Sequence, residues 1–151
     1  MRKMGFVHLQ AQSGYSFMQS ILSIEKLVKG AKSKGYKAIA LTDYRVMHGA
    51  IQFYEQCQKE NIKPIIGMKI DIQDPNTQEI YTVITLAKSN VGYESLVKLS
   101  SLIAKAENNP LSFEQFSPLN EDLIVIIPAY QNLFGNYLLN KELHKGKDWL
   151  E

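Results

Sequence analysis

Three apolar runs in this chain break into polar side chains, and the residues at the breaks are the ones able to do chemistry. The run from Phe6 to Leu9 gives way to Gln10 and Gln12. The run before Thr42 gives way to Asp43 and Tyr44, and Pro64–Gly67 leads to Lys69. Such switches put side chains at the carboxyl mouth of barrel strands, where binding groups gather. Gln10 and Gln12 stand two apart, so a strand would turn both toward one ion. Amide oxygens, a phenol and an ammonium are nevertheless poor ligands for Zn²⁺ or Mn²⁺ beside imidazole and carboxylate. Asp43 is expected to cap the turn after it or to pair with Lys69. His8, His48 and His144 are scattered, with no Ser-His-Asp arrangement to argue from. Gly30 and Gly35 flank a helix and make no phosphate loop.

The elements that must hold these residues follow from periodicity. Residues 5–11 read as a strand. Ser23 caps a helix reaching about Lys34, with Ile24, Leu27, Val28 and Ala31 at helical spacing and Gly35 closing it. A strand over Lys37–Leu41 places Asp43 just past its end. Ala50, Phe53, Tyr54 and Cys57 mark a helix over 48–60, and Ile62–Ile72 a third strand ending in the turn Asp74-Pro75-Asn76. Glu79–Ala87 reads as strand, 91–106 as helix, 107–121 as surface loop, Leu123–Ile127 as strand and 132–145 as a last helix. Apolar strands alternating with helices argue for a mostly parallel sheet covered by helices.

A chain of 151 residues, 45% of them hydrophobic, can bury a core and makes at most one domain. Its net charge of +2 points to neither nucleic acid nor membrane. Residues 1–60 hold nine Lys/Arg against four Asp/Glu, and residues 61–151 eight against eleven. The basic excess falls on Lys26, Lys29, Lys32, Lys34 and Lys37, which reads as a solvated helix face. Cys57, the single cysteine, excludes an internal disulfide and a Cys-based zinc site, and it lies on a helix's apolar stripe. No run has membrane-span length or the form of a signal peptide, so a cytoplasmic location is expected.

Longer motifs sharpen the reading. Ile84-Thr85-Leu86-Ala87-Lys88-Ser89-Asn90-Val91-Gly92-Tyr93, followed by Leu96-Val97-Lys98-Leu99-Ser100, resembles the PHP (polymerase and histidinol phosphatase) domain. The version resembled is the one that begins bacterial DNA polymerase III alpha subunits. His48-Gly49-Ala50-Ile51-Gln52-Phe53-Tyr54 and Ile62-Lys63-Pro64-Ile65-Ile66-Gly67 are similar to it as well. The resemblance implies an α/β fold, a PHP-type (β/α) TIM-like barrel, here an incomplete portion with about five mostly parallel strands and four helices. A closed barrel takes roughly 200 residues or more. Residues 1–151 are therefore expected to be an N-terminal PHP domain truncated at its C-terminal end, part of a much longer polymerase chain.

The resemblance also implies where metal ligands would stand. The family's opening histidine pair falls on Gln10 and Gln12, an acidic ligand on Gln19, and the Thr-Asp-His segment on Thr42, Asp43 and Tyr44. The glutamate after Gly67 is Lys69, the histidine of the strand from Glu79 is Thr82, and the family's cysteine position is Ala129. Asp43 alone keeps a ligand of the family's kind. The Lys69 ammonium would oppose a divalent ion by roughly 8 kcal/mol at ~4 Å with an effective dielectric near 20. The implied reading is a vestigial site with no catalytic residue and no metal or other cofactor in this segment. Mg²⁺ would serve only the polymerase active site of the parent protein. Partners implied are the remainder of the alpha subunit (palm and thumb), other replisome proteins, and DNA through the parent. Two other readings stand beside it: an active metal-dependent phosphoesterase or proofreading nuclease, and a nucleic-acid-binding module on the basic half.

Overall fold

The computed structural model describes residues 6–107 and 109–128, together with residues 135, 139–141 and 144. Five strands form one sheet: β1 (Ala38–Tyr44), β2 (Lys63–Gln73), β3 (Ile80–Ala87), β4 (Leu111–Ser112) and β5 (Leu123–Ile126). Around them lie α1 (Ile24–Ser33), α2 (Ala50–Lys59), α3 (Asn90–Lys105) and the single turn α4 (Phe113–Phe116). Ser23 caps α1 by accepting the Lys26 N–H, and Ser89 caps α3 by accepting that of Val91.

Strand order is β1-β2-β3-β5, with β4 on β2. Gln73 of β2 faces both Ile80 of β3 and Ser112 of β4, so β4 lies along the edge that β1 occupies up to Lys69. The α/β class and the five strands and four helices agree with the sequence, but the strand directions are mixed. β1–β2 and β2–β4 are parallel, whereas β2–β3 and β3–β5 are antiparallel. The reason lies at residues 74–79, which are too few for a parallel crossover. Asp74 Oδ1 accepts the N–H groups of Asn76 and Thr77 at 2.8 Å and folds that connection into a hairpin.

Register assigns the two faces. Ile39 and Leu41 pack with Leu27, Val28, Phe53 and Cys57 beneath α1 and α2. Met68, Ile70 and Val83 pack beneath Leu96, Leu99 and Ile103 of α3. One face is thus covered by helices. The other carries a smaller apolar cluster of Ala40, Ile84 and Leu86. Each fully buried side chain of this size contributes roughly 1.5–3 kcal/mol, and Leu99→Ala would cost about 2–5 kcal/mol. Gly67 lies where β2 meets its neighbours most closely, since a Cβ there would sit 2.3 Å from Thr85 O. At Gly92, a Cβ would sit 2.3 Å from Asp122 O, which fixes α3 against the approach to β5.

Three expectations change. Residues 5–11 form no regular strand; His8 makes one parallel bridge to Ile39. Ala40 N donates to His8 O and Thr42 N to Ala11 O, so three residues on the first segment face two on β1. That extra residue is a bulge. The stretch 107–121 is not surface loop alone, because Leu111 and Phe116 are buried in the α3 core. Ser112 and Gln115 make a capping box there, a signal readable in the sequence. The helix expected over 132–145 lies largely outside the described residues. No described helix is long and apolar enough to cross a membrane.

Candidate functional site

Alternation along β1 and β2 sorts the polar residues before any contact is considered. Tyr44 pairs with Lys69, Lys69 with Ile84, and Asp71 with Thr82, so Tyr44, Lys69, Asp71 and Thr82 share the face away from the helices. Asp43 pairs with Met68 and falls on the opposite, helix-covered face. The two faces carry separate clusters.

Asp71 is the centre of the first. Thr82 Oγ1 donates to its Oδ1 at 2.6 Å, and the Tyr44 hydroxyl donates to Oδ2. The Arg45 guanidinium reaches Oδ2 at 2.5 Å as an ion pair, both side chains being largely buried. Arg45 follows β1 with φ 62°, a left-handed backbone that costs a side-chain-bearing residue about 1 kcal/mol. Its N–H donates to Lys69 O. The Tyr44 ring carries the Arg45 guanidinium 4.9 Å and the Lys69 ammonium 5.7 Å from its centroid. Burial, then the bond to Asp71, pushes the Tyr44 phenol up to about 12. Burial alone would raise the Asp71 carboxyl; the donors Thr82, Tyr44 and Arg45 with the Arg45 charge outweigh it and hold it below its ordinary value.

Asp43 is the centre of the second cluster. It accepts the Ser13 N–H at 2.6 Å and the Ser13 and Ser16 hydroxyls at 2.7 Å each. Ser16 Oγ in turn accepts the Tyr44 N–H at 2.9 Å. Asp43, Ser13 and Ser16 are all essentially inaccessible. The expected Asp43–Lys69 pair is therefore absent: a strand of period two puts the carboxylate and the ammonium on opposite faces. Asp43 braces the loop before α1, not a turn after β1.

Of the other positions singled out in the sequence, Gln12 Nε2 donates to Gln19 Oε1 at 2.7 Å, so these two amides meet each other. Gln10 is exposed. Ala129 lies outside the described residues. His8 stands edge-on to Phe6, 5.1 Å between ring centroids, and His48 lies 6.3 Å from Tyr15. Asp71, Arg45, Ser13 and Ser16 were not singled out. Lys69-Ile70-Asp71-Ile72, with charges on alternate residues inside an apolar strand, was the signal for Asp71. Among the described residues no group of three or more His, Cys, Asp or Glu could hold a metal ion. Asp71, the one carboxylate on the Tyr44 face, is already enclosed by three donors. The donor set does not fit a divalent cation. An apolar cavity of about 710 Å³ opens elsewhere, between the start of β2 (Ile65), the end of β3 (Leu86), Tyr93 and Ile124.

The sequence profile of the PHP domain matches residues 8–151. The chain belongs to the PHP-domain family. It is 43% identical over 127 residues to the DNA polymerase III subunit alpha of Bacillus subtilis (strain 168), covering 83% of this chain and 11% of that one. With the protein of the same name from Halalkalibacterium halodurans it shares 33% over 147 residues, 96% of this chain and 13% of the relative. This PHP domain thus spans about a ninth to an eighth of those relatives' length. Two solved structures share its fold at 15% identity: a protein described as a metal-dependent phosphoesterase from Bifidobacterium adolescentis, and an amidohydrolase from Chromobacterium violaceum. The first has a TM-score of 0.52 over 66% of this chain and 32% of its own, the second 0.55 over 67% and 34%. The described sheet is open, in keeping with part of such a barrel.

Proposed function

We propose that this PHP domain belongs to the alpha subunit of a bacterial replicative DNA polymerase III, where it is a structural and interaction element with a vestigial phosphoesterase site. The polymerase part of the reading rests on the relatives, which carry that name over most of this chain. Nucleotidyl transfer and its Mg²⁺ belong, in this reading, to the remainder of the parent polypeptide; palm and thumb are the partners.

One observation carries the vestigial part: side chains at ligand positions bind one another. Gln12 holds Gln19, and Tyr44 and Thr82 close on Asp71 with Arg45. A guanidinium against Asp71 supplies the positive charge that a metal would otherwise bring, and it needs no ligand shell. Lys69 adds a second cation above Tyr44. A hydrolytic step would need a Lewis acid or a general base, and neither role has a free side chain in this cluster.

Metal analysis of the purified protein tests this. Less than a tenth of an equivalent of Zn, Mn or Fe is the expected result, and a stoichiometric transition metal overturns it in favour of an active phosphoesterase or nuclease. The variant Gln10→His/Gln12→His/Tyr44→His/Lys69→Glu should take up more metal than the parent sequence. Primer extension by the parent polypeptide tests the polymerase assignment separately.

A further inference from the structure

Residues 10–23 contain no charged side chain, although 21% of the whole chain is charged. From this stretch Phe17, Met18 and Ile21 stand 86%, 90% and 104% exposed, with Tyr15 half-exposed beside them. The loop presenting them is braced. Gly14 N donates to Leu22 O, Ser16 N to Ser13 O and Gln19 N to Ser16 O, each at 2.9 Å. Ser20 Oγ donates to Gln12 O at 2.9 Å, and from beneath Ser13 and Ser16 grip the buried Asp43. Met18 holds φ 57°, a left-handed backbone unfavourable for a side-chain-bearing residue. The loop fixes its apolar side chains outward at a cost, where collapse onto the protein would hide them.

An ordered, uncharged patch of aromatic, methionine and aliphatic side chains has the composition of the desolvated centre of a protein–protein contact. Nucleic acid and anionic lipid both call for Lys or Arg, which the patch lacks. The complementary surface is therefore an uncharged, apolar protein surface. Resting on the reading above, in which relatives are eight to nine times longer, such a surface is supplied at high effective concentration by the same polypeptide. We propose that Phe17, Met18 and Ile21 dock onto an uncharged apolar surface of the remainder of the parent polypeptide.

The test is hydroxyl-radical footprinting of the purified full-length parent, comparing Phe17 and Met18 labelling in native and urea-denatured protein. Docking predicts about tenfold slower labelling in the native state. Native rates within twofold of the denatured ones overturn the proposal, since nearly full exposure predicts that result for an uncovered loop. Protection that disappears on dilution, with sedimentation showing a dimer, assigns the patch to a second copy and also overturns it. Because Phe17 and Ile21 make little contact within the domain, Phe17→Asp/Ile21→Asp should leave the parent folded while restoring Met18 labelling toward the denatured rate. Unchanged protection in that folded variant counts against docking. Primer extension by the same preparation separates the two failures: an unprotected Met18 in an extending polymerase sinks the docking surface alone, whereas absent extension sinks the polymerase assignment.

Discussion

Asp43 and Asp71 are two buried carboxylates on neighbouring strands, and they are satisfied by opposite means. Asp71 has a guanidinium, a phenol and a threonine hydroxyl; Asp43 has one backbone N–H and two serine hydroxyls, with no cation among these donors. The Asp71 cluster lies on the face that would line a barrel, the Asp43 cluster beneath the helices. The difference teaches that a carboxylate kept at a ligand position need not be kept for a ligand. Asp43 ties the loop before α1 to the end of β1, whereas Asp71 is the counter-ion for side chains where the family places metal ligands.

The largest effect expected from breaking this comparison is at Asp43. Asp43→Ala leaves the donors of Ser13 and Ser16 buried without an acceptor and should cost about 3–5 kcal/mol. Urea denaturation measures it; a loss below ~1 kcal/mol would mean the loop rearranges and the brace is dispensable.

At Asp71 the damage should depend on which partner goes. Arg45→Met strands a carboxylate that keeps only Tyr44 and Thr82, and should cost about 2–3 kcal/mol. The double variant Arg45→Met/Asp71→Met removes both charges and should recover much of that loss. Additive losses in the double-mutant cycle would show that the two residues act independently.

The smallest effect is in pH. Asp71 has a depressed pKa, so its contribution is complete above the unfolded value of 3.8 and is lost as pH falls through the lower folded value. Arg45→Met should move that acid loss to higher pH. Tyr44 behaves oppositely: raised from 10.0 to about 12, it contributes stability below pH 10 that is lost as pH climbs toward 12. Tyr44→Phe should abolish that alkaline limb in a denaturation series, and an unchanged limb would exclude Tyr44 as its source.

Much of this was legible in residue order. Ser23 and the Ile24, Leu27, Val28, Ala31 stripe gave α1 to within a residue, because helix caps and period are local properties. Motifs around Gly67 and Gly92 carried the family, and both glycines sit where a Cβ would strike backbone. The amide pair Gln12–Gln19 could not be read, since it depends on a loop folding back seven residues. The role of Asp43 was misread because β1 runs on through Tyr44; three further residues of strand moved its side chain to the other face.

Residue order alone thus determined the family, most of the helices and strands, and the absence of imidazole from the expected ligand positions, since these depend on residue type and short-range spacing. Which charges meet was decided only by the tertiary structure. Pairing of Arg45 with Asp71, and of Asp43 with two serines, requires register between strands and a left-handed turn after β1. Those are set by packing across the sheet, where a one-residue difference reverses the face on which a side chain acts.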